Sequence, residues 1–479
     1  MPATTQRAGL RRTPFDLHII PMASPHQPPL AGIADFLADS VQSADFPKTI
    51  LRFRNNSAAA SVGLDGLSDE EWVAHFGRFR PLPGNLPEPL ALRYHGHQFR
   101  VYNPDIGDGR GFTFAQLQDD KGRWLDLGTK GSGTTPYSRF GDGRLTLNGG
   151  VREILATEML EALGVNTSKS FSLIETGEDL QRNDEPSPTR SSVLVRLSHG
   201  HIRIGSFQRL AMLGQTEELN RLATYVIEHL YGEAPGDEPA LGLLEQVVGR
   251  TARLAASYMA AGFVHGVLNS DNINVTGESF DYGPWRFTPF WDPEFTAAYF
   301  DHQGLYAFGR QPQAIHWDVV QLAIALSKVV DVEALAPILD TFPEHYEAAY
   351  GKAMLARLGV RPRGDEDDLA LVQAIERGLL TRTVGIDRFF FDWSGGRRRP
   401  GPYDRTYAEH FGEAEAILAR YDGARMTDHP YWSDAEPCSM HIDEVEAIWA
   451  AIDGQDDWAP LNAKVAAIRR MGEAHRWPN

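Results

Sequence analysis

Between residue 86 and about 210, apolar positions first alternate with polar ones, then recur at three- and four-residue spacing, then alternate again. Phe112 to Leu117 and Arg123 to Thr129 are β-rich runs around Asp119-Asp120-Lys121-Gly122, which predicts a hairpin. A period of two puts Trp124, Asp126, Gly128 and Lys130 on one face of the second strand, and Leu125, Leu127 and Thr129 on the other. Val151, Ile154, Leu155, Met159 and Ala162 follow at helical spacing, opened by Gly149-Gly150 and stopped by Gly164. Phe171 to Ile174 and Val193 to Leu197 read as two further strands, joined by a polar loop from Glu178 to Ser192. From about 211 to 330 helices dominate, among them Leu244 to Ala261 ending at Gly262, with a polar loop region at 265–312. The rest reads as mostly helical, with core-facing stripes from Trp317 to Leu335 and Ala408 to Arg420 and polar breaks at 361–367 and 395–404. Residues 1 to about 85 are proline-rich, carry one amphipathic stretch from Ile33 to Val41, and show no obvious chemistry.

Composition narrows the class. A chain of 479 residues, 42% hydrophobic and 23% charged, can bury a sizeable core as two or three domains or one bilobed enzyme. Its net charge of -18 argues against nucleic acid as the main partner, yet a local basic pocket could still hold a small anion. The single cysteine, Cys438, has no internal disulfide partner and excludes a Cys-rich zinc site. Apolar runs are too short for a membrane span; even Val319 to Leu326 is broken by Gln321. Arg7, Arg11 and Arg12 precede the first acid, Asp16, and a flexible terminus is a simpler reading of them than a transit peptide. Seven lysines stand against thirty-nine arginines, so a lysine set among glycines, Lys130, draws attention.

The order strand, strand, helix, strand, strand resembles the small lobe of a protein kinase. Lys130 ends an inner strand, and Glu153 lies in the first turn of the next helix, where it could hold the ammonium. In the second half, His265 and Asn272 keep the spacing of a kinase catalytic loop, and Asp281-Tyr282-Gly283 stands nine residues beyond in place of Asp-Phe-Gly. An Asn amide oxygen with an Asp carboxylate suits a hard divalent cation. The usual catalytic Asp would fall at Val267, which can accept no proton; Asp271 is the nearest carboxylate. No Gly-x-Gly-x-x-Gly precedes Lys130. Instead Gly107-Asp108-Gly109-Arg110 and Gly141-Asp142-Gly143-Arg144 bracket it, turns whose amides and arginines suit phosphate. Arg196 and Arg203 flank His199-Gly200-His201. A metallohydrolase built on that pair and on His95-Gly96-His97 is a weaker alternative.

Taken together, these strings resemble the selenoprotein O family in its bacterial, non-selenocysteine form. The match is carried by His97-Gln98-Phe99, Lys130-Gly131-Ser132-Gly133, Thr135 to Arg139, Arg152-Glu153, Gly205-Ser206-Phe207, His265 to Asn272, Asp281 to Pro284 and Asp301 to Gly304. It covers about 90–315, with looser likeness before 85 and after 330. The resemblance implies an α+β, protein-kinase-like bilobed fold: a small mixed β lobe with one αC-like helix (86–210), a larger mostly helical lobe (211–420), an N-terminal extension (1–85) and a C-terminal helical extension (421–479). It implies transfer of AMP from ATP to Ser, Thr or Tyr hydroxyls of proteins, from a nucleotide bound in the reverse sense to that of a kinase. Gly107, Gly109, Arg110, Lys130, Asp142, Gly143, Arg196, Arg203 and Asp281 would contact ATP. Glu153 would pair with Lys130, Asn272 and Asp281 would hold Mg²⁺ or Mn²⁺, and Asp271 would act as base. A silent ATP-binding scaffold or a γ-phosphate kinase is the alternative. The expected protein is a monomer of the bacterial cytoplasm, a mitochondrial location staying open, with neither membrane nor nucleic-acid partner. Arg100 to Ile106 departs from the family's usual string. The chain ends Arg476-Trp477-Pro478-Asn479 without the family's Cys-containing redox motif.

Overall fold

A computed structural model of the chain describes residues 27–183, 185–425 and 428–476; Arg7, Arg11, Arg12 and the terminal 477–479 lie outside them. The fold is α+β, an antiparallel sheet with many helices. Its strands are β1 (Ala38–Ser40), β2 (Ile50–Arg54), β3 (Asn85–Leu92), β4 (Gly96–Gln98), β5 (Val101–Asn103), β6 (Thr113–Gln118), β7 (Trp124–Lys130), β8 (Leu145–Thr146), β9 (Lys169–Leu180) and β10 (Thr189–Ser198), with a short separate pair, β11 (Phe263–Val264) and β12 (Arg286–Phe287). The main sheet runs β1-β3-β6-β7-β10-β9-β2, with β8 also paired to β10. β4 and β5 form a separate hairpin.

The expected hairpin is β6 and β7, paired antiparallel from Thr113↔Gly128 to Gln118↔Trp124. Alternation then sorts the faces. Leu125 and Leu127 join Phe114, Phe171 and Val193 in one core, under Trp72 and Phe76 of the helix Asp69–Phe76. On the other face Leu173 and Leu194 pack with Leu147, Val151, Ile154 and Leu155 of the helix Leu147–Ala162. That helix starts before Gly149 because the Thr146 hydroxyl accepts from the Gly149 amide at 3.1 Å. Gly164, at φ +83, follows its end.

Several elements differ from the sequence reading. β9 and β10 extend through the stretch read as a polar loop, leaving only 181–188 between them. Their polar residues are satisfied across the strands: Glu175 takes Arg190 at 2.8 Å and Arg52 at 2.6 Å. The stripe Trp317 to Leu335 is two helices, Gln311–Leu326 and Val332–Leu339. Pro312 suits the first turn of one, and the Ser327 hydroxyl folds back onto the Ile324 carbonyl at the other end. Ala408 to Arg420 likewise divides, into Asp404–His410 and Gly412–Leu418, around the buried Phe411. The helix ending at Ala261 begins earlier, at Pro239. The first 85 residues supply both edge strands, β1 and β2, as well as Trp72 and Phe76. Among the described residues no helix is long and apolar enough to cross a membrane.

Candidate active site

A cavity of ≈ 760 Å³ is lined by β7 and β10, by the loops 106–111 and 137–144, and by 267–272 with 281–283. Gly107, Gly109, Arg110, Lys130, Asp142, Gly143, Arg196, Arg203, Asp271, Asn272 and Asp281 all line it. Glu153 stands behind, on the helix Leu147–Ala162, and its Oε1 accepts from Lys130 Nζ. Alternation along β7 explains the placement. Lys130 shares the face of Gly128 and Asp126, toward that helix, while Leu127 faces the opposite core.

Asp281 is the hub. Its Oδ1 lies 2.5 Å from Arg196 Nη1 and 3.8 Å from Lys130 Nζ, and its Oδ2 takes Arg203 Nη1. Asp281 holds a left-handed backbone (φ 59), which a short polar side chain tolerates and which aims the carboxylate into the cluster. Burial alone would raise the carboxyl. Arg203, Arg196 and Lys130 outweigh it and hold Asp281 well below the usual carboxylate range. Burial pushes Lys130 down, against the pull of Glu153 and Asp281. Arg203 also donates to the Asp271 carbonyl at 2.8 Å and lies over the rings of Tyr94 and Phe280.

The loop 265–272 presents two oxygen donors. Asn272 spends its Nδ2 on the Val267 carbonyl at 3.0 Å, leaving the carboxamide oxygen available. The Oδ2 of Asp271 accepts from Gln98 at 3.4 Å, whereas its Oδ1 is buried without a hydrogen-bond partner among the described residues. Burial pushes the Asp271 carboxyl up to about 6. Gly96 is what lets the backbone approach: a Cβ there would come within 2.7 Å of Asp271 Oδ1.

The two Gly-Asp-Gly turns form one rim. A Cβ at Gly107 would meet the Tyr137 ring, and Gly143, at φ +70, lies directly against the Gly133 carbonyl. The carboxylate of Asp142 is clamped by Arg182 at 2.9 Å, and Arg144 is held by Glu178 at 2.8 Å. Arg110 and Arg139 are exposed and, among the described residues, make no ion pair. Around the cavity seven cationic side chains (Arg110, Lys130, Arg139, Arg144, Arg182, Arg196, Arg203) face four carboxylates (Asp108, Asp142, Asp271, Asp281). In a protein of net charge -18, that is a local reversal of sign suited to a polyphosphate.

Other residues have partners that no motif spacing announces. Asp108 pairs with Arg203 at 3.4 Å. Asp39, from the segment read as chemically silent, accepts from both Arg93 and the hydroxyl of the rim residue Tyr137. The space left by Gly128 is filled by His201, whose imidazole would lie 2.6 Å from a Cβ there. Three of the four histidines are engaged elsewhere: His95 with Tyr102 at 2.7 Å, His97 with Gln208 at 2.8 Å, His201 with Asp126 at 3.2 Å; His199 Nε2 is buried without a hydrogen-bond partner among the described residues. Among the described residues no three His, Cys, Asp or Glu side chains are grouped to hold a metal ion.

A cationic cleft with a buried Lys–Glu pair, a free carboxamide oxygen and a carboxylate with one unpartnered oxygen has the equipment of a nucleotidyl- or phosphoryl-transfer enzyme. The chain belongs to the family described as protein adenylyltransferase SelO, whose profile matches residues 22–400. It is similar to curated proteins named protein nucleotidyltransferase YdiU. The Synechocystis protein is 47% identical over 93% of this chain and 98% of its own, and that of Trichormus variabilis 44% over 93% and 96%. The Gloeobacter violaceus protein is 42% identical over 93% and 95%. The family match thus reaches beyond 90–315 on both sides, into segments read as only loosely similar.

Proposed function

We propose that this nucleotidyltransferase moves AMP from ATP onto Ser, Thr or Tyr hydroxyls of proteins and releases pyrophosphate. The observation that carries the reading is the convergence of Lys130, Arg196 and Arg203 on Asp281, 3.8 Å or less from its carboxylate, in a cleft whose rim adds further arginines. We read the fold as protein-kinase-like, with a small lobe over 86–210, its sheet edges completed from 1–85, a large lobe over 211–420 and a helical extension over 421–479. The arginines and turn amides of 107–110 and 139–144 line the same cleft as Lys130 and would take up the phosphates of a triphosphate bound in reverse.

In the reaction the acceptor oxygen bonds to the α-phosphorus, the bond from that phosphorus to the bridging oxygen breaks, and pyrophosphate leaves. Asp271 takes the hydroxyl proton: its Oδ1 is unpartnered, and Gln98 fixes Oδ2. Lys130, Arg196 and Arg203 hold the phosphates, and Glu153 keeps the Lys130 ammonium in place. Asn272, whose carboxamide oxygen is available, and Asp281 are the residues that would hold a hard divalent cation, Mg²⁺ or Mn²⁺, which would supply positive charge against the leaving pyrophosphate. The enzyme is read as a cytoplasmic monomer.

Intact mass spectrometry of a target protein incubated with enzyme, ATP and Mg²⁺ tests the reading. An added adenylate supports it; an added phosphate points to a kinase, and ATP binding without any adduct to a scaffold.

A further inference from the structure

The geometry points to an aromatic ledge beside Asp271 that docks a bulky apolar side chain next to the acceptor hydroxyl of the protein substrate. The inference rests on the transfer reading above and adds the class of sequence that the site selects. The ledge is built on the hairpin of β4 and β5, whose two-residue turn is Phe99-Arg100. Both residues have positive φ, 49 and 63, a conformation that hairpin turns normally assign to Asn and Gly. Two bulky L-residues there are strained, and such strain persists where the surroundings over-determine it.

Those surroundings tie the hairpin to the loop of the proposed base. The His97 amide donates to Ser270 Oγ at 2.7 Å, the Phe99 amide donates to Asn269 Oδ1 at 3.0 Å, and Gln98 reaches Asp271. The Tyr306 hydroxyl donates to the same Asn269 oxygen at 2.7 Å. The turn therefore sets the ring of Phe99 5.1 Å from Tyr306 and 5.8 Å from Phe300. Phe300 stacks edge-on with Tyr299 at 5.1 Å.

What this row presents outward is apolar. Tyr299 is 81% exposed, Phe300 42%, and Val101, just past the turn, 70%. Scattered exposed apolar residues need no explanation, but Phe99, Phe300 and Tyr299 touch in sequence and begin one residue from Gln98, a lining residue of the cleft. A protein hydroxyl approaching Asp271 brings its neighbouring residues across this row. Burying one large apolar side chain there would raise kcat/KM for that substrate about tenfold or more.

The test uses the full-length enzyme, α-labelled ATP with Mg²⁺, and paired synthetic peptides carrying a Ser, Thr or Tyr acceptor flanked by Phe or Leu in one and by Ser or Asn in the other. Wild type should favour the apolar-flanked peptide about tenfold in kcat/KM, and Tyr299→Ser/Phe300→Ser should erase the preference. Both side chains are exposed, and calorimetric ATP affinity and the circular-dichroism melt should stay as in wild type. Equal labelling of both peptides by wild type, or an equal loss on both in the variant, would overturn the ledge while leaving AMP transfer standing. Label in no peptide despite bound ATP would overturn the transfer reading and this inference with it.

Discussion

Replacing Glu153 by Gln isolates the buried pair that positions Lys130. Both partners are inaccessible, Lys130 at 8% and Glu153 at 1% exposure. The amide keeps a hydrogen-bond acceptor and removes one negative charge. The remaining counter-charge, Asp281, is 3.8 Å away, where unit charges at an effective dielectric of ~20 attract by about 4 kcal/mol. That attraction is already shared with Arg196 and Arg203. The variant should therefore lose about 3 kcal/mol, the usual consequence of stripping one partner from a buried pair. Lys130→Met/Glu153→Gln should recover most of that loss, because no unpaired cation stays buried. Urea titrations followed by tryptophan fluorescence and circular dichroism measure both. AMP transfer should fall about a hundredfold or more in each, since the ammonium is misplaced or absent. A single-variant loss under about 1 kcal/mol, or a double variant weaker than the single one, would show that Asp281 alone compensates Lys130 and would refute this account of Glu153.

Asp281→Asn should abolish divalent-dependent transfer yet tighten metal-free binding of inorganic tripolyphosphate about tenfold, because Arg196 and Arg203 are freed for phosphate; calorimetry reads this. The same substitution, or Asp281→Ala, also removes the buried counter-charge of three cations, so it should lower stability as well as activity. Gly143→Ala should weaken ATP binding about tenfold or more, since its φ of +70 and the Gly133 carbonyl leave no place for a Cβ; unchanged affinity would remove that turn from the nucleotide site. Glu278 supplies the pH dependence. Burial raises its carboxyl from the ordinary 4.5 to about 7, so the protonated fold's advantage is full below pH 4.5 and lost as pH rises through 7. That difference is worth about 3 kcal/mol. Glu278→Gln, which still accepts from the His199 amide, should be the more stable protein at pH 8 and equal to wild type near pH 4; parallel pH profiles would contradict this.

Residue order alone set the types and spacings of the chemical groups. Period two in Trp124–Lys130 placed Lys130 opposite the Leu125 and Leu127 core, helical spacing carried Glu153, and the run from His265 to Asn272 with Asp281 was legible as a loop of oxygen donors. These are local patterns, set by backbone geometry over a few residues. Tertiary structure decided which charges meet. Arg196 and Arg203 are 85 and 78 residues from Asp281, and no spacing rule predicts that one carboxylate anchors both. It also decided that His201 fills the space over Gly128, that Asp39 braces Tyr137, and that the opening segment closes both edges of the sheet. Polar strands such as the ends of β9 and β10 passed for loop because their charges find partners only in the folded chain: Arg52 and Arg190 on Glu175, Arg190 on Asp456 and Arg144 on Glu178. Burial selects such pairs through desolvation, a quantity that exists only once the chain has closed around them.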